Sequence, residues 1–371
     1  MRVHVRVRSQ GGYTLVELLI STAIMLTVTG AIFSLMNPAQ GSAQTQPEVA
    51  GMQQRMRVGQ ETLFKELMMA GAGPYQGAST GSLMNFFAPI LPRRTGMVGA
   101  DPTQGAGSFR SDAITLAYIP NTYSQTTISA PMPPNSAELK VNDQPNCPRG
   151  QQLCGFEAGM NVIIFDTAGF FDTFTVTQVQ DAAGHLQHRG QNLNYEYAAG
   201  AQITQVVSNT YYLNRTTNKL MRYDGGDGAG NSDIALADDV VDLEFQYYGD
   251  PRPPLLPKPR PGIPNCLYDA GGNYVAGMAT LTPEDGSLAK LTPAMLTDGP
   301  YCGGGSNQFD ADLLRVRKVR VRLRVQAAMQ SLRGTDPALF MRPGTSIGGE
   351  RFVPDYRVVF EVSPRNLNLA R

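Results

Sequence analysis

The sequence predicts an α+β protein in which one long N-terminal helix precedes a β-rich globular domain. Two observations support this prediction. An apolar run near the N-terminus continues into an amphipathic helical pattern, and beyond residue 74 many short alternating segments lie between glycine- and proline-rich stretches. The 371-residue chain holds 39 glycines and 26 prolines, an excess that is typical of numerous turns and short strands.

The N-terminal apolar run is long enough to cross a membrane. Leu18–Met36 contains no charged residue, and at ~1.5 Å rise per residue it spans ~28 Å, about one hydrocarbon core. Arginines at positions 2, 6 and 8 precede it, which predicts a cytoplasmic N-terminus with the bulk of the chain outside. A cleaved secretory signal and a plain signal anchor are alternative interpretations. Neither accounts for Glu17, a carboxylate at the head of the run.

A second helical pattern follows the apolar run. Its apolar positions recur at helical steps and predict one face packed on the globular domain. Gly71 and Gly73 end the pattern. We therefore expect a helix over residues 13–70, with its transmembrane segment at 15–36 and an interruption near Asn37-Pro38. The positions of the face are Val49, Met52, Met56, Leu63, Leu67 and Ala70.

Residues 71–371 are expected to form a β-rich extracytoplasmic domain. Several segments alternate apolar and polar residues, as antiparallel strands with one buried face do. The predicted strands are Ala113–Ile119, Asn161–Phe165, Phe174–Val179, Ala201–Val207, Thr210–Asn214, Val240–Tyr248, Val316–Val325 and Tyr356–Val362.

The N-terminal segment resembles the class III signal of type IV pilins and type II secretion pseudopilins. Gly12 is followed by YTLVELL and the long apolar run, after a short basic leader. In that family a membrane peptidase cuts after the glycine and methylates the new N-terminal residue. The resemblance implies a leader of residues 1–12 and processing at Gly12 and Tyr13. Tyr13 replaces the family's usual phenylalanine but keeps its bulky aromatic character.

The same resemblance implies a role in assembly for Glu17. After cleavage Tyr13 carries a cationic amine, and neither this amine nor a carboxylate is stable alone in lipid. Glu17 of an incoming subunit would pair with the Tyr13 amine of a neighbour in the filament and set the axial register. The alternative is an acid that snorkels to the membrane interface.

Further segments resemble PilW-type minor pilins, discontinuously over the whole chain. This resemblance implies a pilin-like fold and a structural subunit that primes or joins a type IV pilus. A type II secretion pseudopilin, or an envelope-anchored protein that binds DNA or a surface, is the alternative. The segments are 57–71, 111–116, 211–213, 220–224, 240–243, 316–325 and 362–367.

The resemblance also implies partners and a location. The partners are a prepilin peptidase/N-methyltransferase, other pilins and minor pilins, an inner-membrane assembly platform and the lipid bilayer, with DNA or a surface as a further possible ligand. The chain would cross the inner membrane once, with its bulk in the periplasm, and then reach the pilus and cell surface.

Two loop insertions depart from a minimal pilin, at about residues 120–159 and 249–307. The second contains seven prolines among residues 251–264, which predicts a stiff, extended segment. Four cysteines allow three pairings, and free thiols are the alternative. Because near neighbours meet most easily, we expect disulfides Cys147–Cys154 and Cys266–Cys302, as in an oxidising compartment.

The sequence gives little sign of catalysis, and we expect no enzyme and no cofactor. Residues 344–348 match G-x-S-x-G, but a hydrolase of that type needs a histidine after the serine and the last histidine is His188. Asp224, Asp227 and Asp233 lie in a glycine-rich loop and are weak candidates for a calcium site. Their spacing is not that of an EF-hand, and a hairpin turn is the favoured interpretation.

The charge pattern disfavours a generally basic nucleic-acid binder. Lys and Arg number 31, as do Asp and Glu. One basic stripe, Arg320, Arg322 and Arg324, lies on a single face of a predicted strand. It would contact DNA or anionic lipid, or it would be neutralised by Asp242 and Glu244 on a neighbouring strand. We favour neutralisation, because no aromatic residue interleaves with the arginines.

Overall fold

The structure is a computed structural model that describes residues 11–74, 81–95, 104–122, 124–144, 147–224, 233–346 and 352–368, with the side chains of 36–42 outside the description. The chain divides into two compact units, one of residues 1–51 with 327–354 and the other of residues 52–326 with 355–371. Helix α1 (Leu15–Met69) is continuous through Asn37-Pro38 and contributes to both units. With the antiparallel sheets that follow, it confirms the predicted α+β class.

The strands of the described residues form five antiparallel sheets. In chain order the strands are β1 (Ile90–Leu91), β2 (Ala113–Tyr118), β3 (Gln125–Thr127), β4 (Glu138–Lys140), β5 (Asn161–Phe165), β6 (Phe171–Thr175), β7 (Gln178–Gln180), β8 (His185–Gln187), β9 (Gln202–Gln205), β10 (Val207–Asn214), β11 (Lys219–Tyr223), β12 (Ile234–Ala237), β13 (Val240–Gly249), β14 (Ala289–Leu291), β15 (Tyr301–Cys302), β16 (Phe309–Asp310), β17 (Val316–Val325) and β18 (Tyr356–Val362). Sheet 1 has the order β1-β2-β10-β11-β12 and sheet 2 the order β14-β13-β17-β18. Sheet 3 is β3-β9-β5-β6, sheet 4 is β4-β8-β7, and sheet 5 is β15-β16.

The C-terminal part of α1 packs on sheets 1 and 2 within the larger unit. A Cβ placed on Gly59 would lie 2.9 Å from Leu323 of β17 and 3.4 Å from Leu220 of β11, so the helix approaches both strands closely. Five positions of the predicted apolar face are buried, whereas Val49 is 39% exposed. The chain leaves the helix at Gly71, whose φ of +75° favours glycine. The buried positions are Met52, Met56, Leu63, Leu67 and Ala70.

Residues 124–206 build a separate hydrophobic core between sheets 3 and 4. Ile128, Leu139, Val162 and Leu186 belong to it and are fully buried. The expected insertion 120–159 therefore contains strands: β3 pairs with β9, and β4 pairs with β8. The strands β8 and β9 lie far along the chain from β3 and β4. The sequence pattern within residues 120–159 alone therefore predicts a loop.

The second expected insertion, 249–307, is tied to the larger unit by a buried guanidinium. Arg315 is 1% exposed and donates to the carbonyls of Pro251 and Ala279, each at 2.9 Å. Its Nε lies 2.6 Å from a carboxylate oxygen of Asp312. A buried cation needs such partners, so these contacts hold both ends of the segment 251–279.

The smaller unit combines the first part of α1 with residues 327–354. Glu48 is 9% exposed, and its carboxylate accepts the N–H of Ala328 at 2.8 Å. Leu332 and Val353 are buried, and the N–H of Val353 donates to the carbonyl of Leu332 at 2.7 Å. The segment is thus joined to the helix by a charge-assisted hydrogen bond at Glu48, and a backbone hydrogen bond holds Leu332 beside Val353.

Three predicted strands have the observed bounds, namely β5, β17 and β18. The predicted strand Phe174–Val179 is wrong, because β6 ends at Thr175 and β7 begins at Gln178. The turn before β6 explains the shift. Asp166 accepts the N–H groups of Ala168 and Phe170 at 2.8 and 3.2 Å, so the extended chain begins at Phe171.

The stability of the residue 124–206 core should fall in acid through His188. Its imidazole is fully buried, its Nδ1 lies 2.7 Å from the carbonyl oxygen of Gln191, and burial lowers its pKa. The unfolded imidazole keeps a pKa of ~6.5. Below that pH the unfolded state binds the proton more tightly, so stability is lost as pH falls from 7 to 5. Chemical unfolding at pH 7 and pH 5 should show a smaller decrease in the free energy of unfolding for His188→Gln than for the wild type.

Comparing the wild type with His188→Gln separates the effect of the histidine from that of other titrating groups. Buried carboxyls with raised pKa values, such as Asp172 and Asp312, stabilise the folded state on acidification in both the wild type and the variant. An equal change in the free energy of unfolding for wild type and His188→Gln would contradict the assignment.

Candidate functional site

The N-terminus of α1 carries a reciprocal pair of caps formed by Thr14 and Glu17. The N–H and the hydroxyl of Thr14 both donate to Glu17 Oε2 at 2.8 Å, and the N–H of Glu17 lies 3.3 Å from Thr14 Oγ1. This is the capping box that Thr-x-x-Glu forms at a helix start. Glu17 thus has a partner in its own chain, which the sequence interpretation did not foresee.

The residues around the predicted cleavage point lie in open surroundings within the described part of the chain. A Cβ on Gly11 or Gly12 would meet nothing there within 4 Å, and neither glycine has a positive φ. Tyr13 is 92% exposed. The described residues therefore do not require glycine at position 12.

The first turns of α1 expose a continuous apolar surface. Leu15–Leu35 has a mean hydropathy of 2.1 and is 0% buried, so it is long and apolar enough to cross a membrane. The hydroxyls of Thr22, Thr27 and Ser34 donate to carbonyls three or four residues earlier, at 2.8–3.0 Å. Such internal bonds satisfy polar groups that lipid cannot, and the segment fits membrane anchoring.

Both expected disulfides are present, Cys147–Cys154 and Cys266–Cys302, with Cα–Cα separations of 5.6 and 5.0 Å. The first closes a small loop beside sheet 4. The second joins the proline-rich segment to β15, so the buried Arg315 and this covalent bond hold the same region.

The basic stripe on β17 is paired with carboxylates, as favoured from the sequence, but only Arg322 pairs with the expected Asp242 and Glu244. Arg320 pairs with Glu361 of β18, and Arg324 pairs with Asp355 just before β18. The register places Arg322 opposite Glu244 and Arg324 opposite Asp242. Arg322 forms ion pairs with Glu244 and, at 3.0 Å, with Asp242. Because these charges face carboxylates of their own sheet, the stripe is not a free cationic surface for DNA.

The weak calcium candidates are only partly described. Asp227 lies outside the described residues. Asp233 accepts the hydroxyl of Tyr212 at 2.9 Å and lies 3.4 Å from Arg94 Nη2. A carboxylate held by a phenol and a guanidinium is already neutralised, which does not favour a cation there.

A second acidic group was not visible in the sequence. One carboxylate oxygen from each of Asp298, Asp310 and Asp312 lies within 4.8 Å of the others. Asp310 accepts the N–H groups of Gly299 and Asp312 at 2.6 and 2.8 Å, and Asp312 pairs with Arg315. Burial raises the pKa of Asp312 to about 6. These oxygens serve the internal network, and we assign no metal to them.

A cavity of about 320 Å³ is lined by residues of sheets 1 and 3. Its polar lining is neutral around Asn161, Thr175 and Gln191, whose side chains bond to one another or to the backbone. The Thr175 hydroxyl and the Asn161 amide oxygen are 2.8 Å apart, and Gln191 accepts the N–H of Thr175 at 2.9 Å.

Comparison with known families bears on the N-terminal segment alone. Residues 7–33 match the prokaryotic N-terminal methylation motif, which covers Gly12, Tyr13, the capping box and most of the exposed apolar helix. The motif is the signal of type IV pilins and pseudopilins. It indicates that the chain is a type IV pilin-like or pseudopilin protein, processed by a prepilin peptidase. No curated protein and no solved structure matches the chain.

The two disulfides should contribute unequally to stability. Non-reducing peptide mapping is expected to recover Cys147–Cys154 and Cys266–Cys302. In the chain-entropy model, replacing the longer-range pair by serine should cost about 4 kcal/mol, and the shorter-range pair about 2.5 kcal/mol. Chemical unfolding of the two double variants measures the difference. Crossed pairs in the map, or the larger loss for the shorter loop, would contradict the prediction.

Proposed function

We propose that the chain is a minor pilin of the PilW type, a structural subunit that primes or joins a type IV pilus after processing. One observation carries the proposal: Gly12, Tyr13 and Glu17 stand in a methylation motif directly before a wholly exposed apolar helix. A β-rich domain on the C-terminal part of the same helix is the architecture such a subunit needs.

The glycine at position 12 supports processing by an external enzyme. A side chain there would meet none of the described residues within 4 Å, so the described fold does not itself require glycine at this position. A peptidase that cuts after Gly12 and excludes a side chain there supplies that requirement. We propose that this end lies in the cytoplasm, as the arginines of the leader favour, and that the bulk of the chain lies in the periplasm and later at the cell surface.

We propose a structural rather than an enzymatic role. The described part of the G-x-S-x-G segment is fixed by its own backbone: the N–H groups of Gly344 and Ser346 donate to the carbonyls of Gly334 and Arg333 at 3.0 Å. His188, the last histidine of the sequence, is buried in the core of residues 124–206. This arrangement favours a turn over a nucleophile.

A type II secretion pseudopilin is the second candidate, because the methylation motif serves both systems. The subunit's presence in sheared pili separates the two. An envelope-anchored DNA-binding protein is less favoured, since the arginine stripe of β17 is paired internally.

Processing should remove residues 1–12 and add one methyl group to the Tyr13 amine. Intact mass of the membrane-extracted protein measures both events. Gly12→Val should abolish cleavage, because the peptidase admits no side chain there, whereas Gly11→Val is the matched control and should still be cut. A mature protein that begins at Met1 or at Gln44, or equal cleavage of both variants, would overturn the proposed processing.

Substitutions at Glu17 should separate an electrostatic role from helix capping. Glu17→Ala removes both the charge and the cap, whereas Glu17→Gln removes only the charge, because glutamine also serves in a capping box. If Glu17 pairs with a neighbour's Tyr13 amine, both variants should be absent from sheared pili, because the buried cation stays unpaired at a cost of several kcal/mol. Thr14→Ala, which removes only the cap, should assemble.

Cleavage after Gly12 should persist in all three variants, and their thermal melts should match that of the wild type. Normal incorporation of Glu17→Gln with loss of Glu17→Ala would assign Glu17 to capping. Incorporation of both would leave only the snorkelling alternative.

A further inference from the structure

Strand β18 presents the longest sheet edge in the part of the chain that the structure describes. It pairs with β17 along Tyr356–Val362, and no described strand pairs with its other side. The other edge strands span two to five residues. Tyr356 and Val359 are each 51% exposed. A long open edge offers its backbone N–H and C=O groups to another strand.

The sequence of β18 is complementary to itself when two copies run antiparallel with Val359 at the centre. Arg357 of one copy then lies opposite Glu361 of the other, twice by symmetry. Val358 lies opposite Phe360, and the two Val359 residues face each other. Directly opposite residues of antiparallel strands interact, and this register places cation against anion and apolar against apolar throughout the centre.

Arg357 is the charge on this face that lacks a counter-ion. Its cross-strand neighbour is Arg324, a like charge that already pairs with Asp355 at 2.8 Å. Among the described residues the guanidinium of Arg357 forms no hydrogen bond or ion pair. Glu361 pairs with Lys318 at 2.9 Å and with Arg320, yet its side chain is 39% exposed. A second copy would bring this carboxylate to Arg357.

We propose that β18 is an interface between two copies of this chain, joined edge to edge in the register centred on Val359. The two-fold axis of an antiparallel pair is normal to the sheet. The helix segment Met52–Met69 lies on the face of sheet 2, so this axis relates it to the same segment of the second copy running in the opposite direction. The pairing therefore fits two copies whose helices are antiparallel, and it does not fit neighbours that insert in the same direction into one bilayer. This inference does not depend on the role in a pilus.

A cysteine at the symmetry axis tests the register. The native cysteines are all in disulfides, so Val359→Cys supplies the one free thiol of the detergent-extracted full chain. In the proposed pair the two Cα atoms are ~4.5–5.5 Å apart, within disulfide range. Mild oxidation should link most of the protein as a dimer. Arg357→Cys is the matched exposed control, since its two copies are displaced by ~13 Å along the strands and should link far less.

Charge variants test the same contact without cross-linking. Arg357→Glu places a carboxylate opposite each Glu361 of the dimer, and association measured by sedimentation should weaken about tenfold. Arg357→Lys keeps the positive charge, and its association should stay close to that of the wild type. Both variants change an exposed side chain, and their melts check folding. A monomer at all concentrations, equal cross-linking of the two cysteine variants, or unchanged association of Arg357→Glu would overturn the proposal.

Discussion

The close approach of α1 to sheets 1 and 2 is the contact on which the larger unit depends. At Gly59 the helix lies so near Leu323 and Leu220 that any side chain there would force a shift. Glycine weakens an isolated helix by about 1 kcal/mol relative to alanine, so its place in the middle of α1 is explained by packing and not by helix propensity. One helix thereby packs against two sheets, and Leu63 and Leu67, one and two turns after Gly59, are fully buried.

Long strands could be predicted from the sequence because their pattern is intrinsic to them. In β17 charged and apolar residues alternate over the eight positions Lys318–Val325, and the acidic face of β13 indicates the partner as well. The three-residue strands β3, β4 and β8 are too short to show a period. They exist because a partner far along the chain pairs with them, and that information is not local. The acidic group of Asp298, Asp310 and Asp312 was missed for the same reason, since the turn at residues 299–309 brings it together.

Some features of the candidate site are likewise visible in the sequence, and others are not. Gly12, Tyr13 and Glu17 were found by resemblance, because a signal read by an external enzyme is written in consecutive residues. The capping box is equally visible in consecutive residues, as Thr14-x-x-Glu17. The structure shows that one carboxylate has an internal role before any neighbour arrives. An intermolecular contact at Glu17 must therefore compete with two hydrogen bonds from Thr14.

The open surroundings of Gly11 and Gly12 bear on the order of biogenesis. Among the described residues nothing lies within 4 Å of a Cβ at either glycine, so the folded domain offers no contact at these two positions that cleavage would break. Maturation at the cytoplasmic end and disulfide formation at Cys147 and Cys266 are then independent steps that can occur in either sequence. A cell that delays the peptidase would then accumulate precursor whose disulfides are already formed.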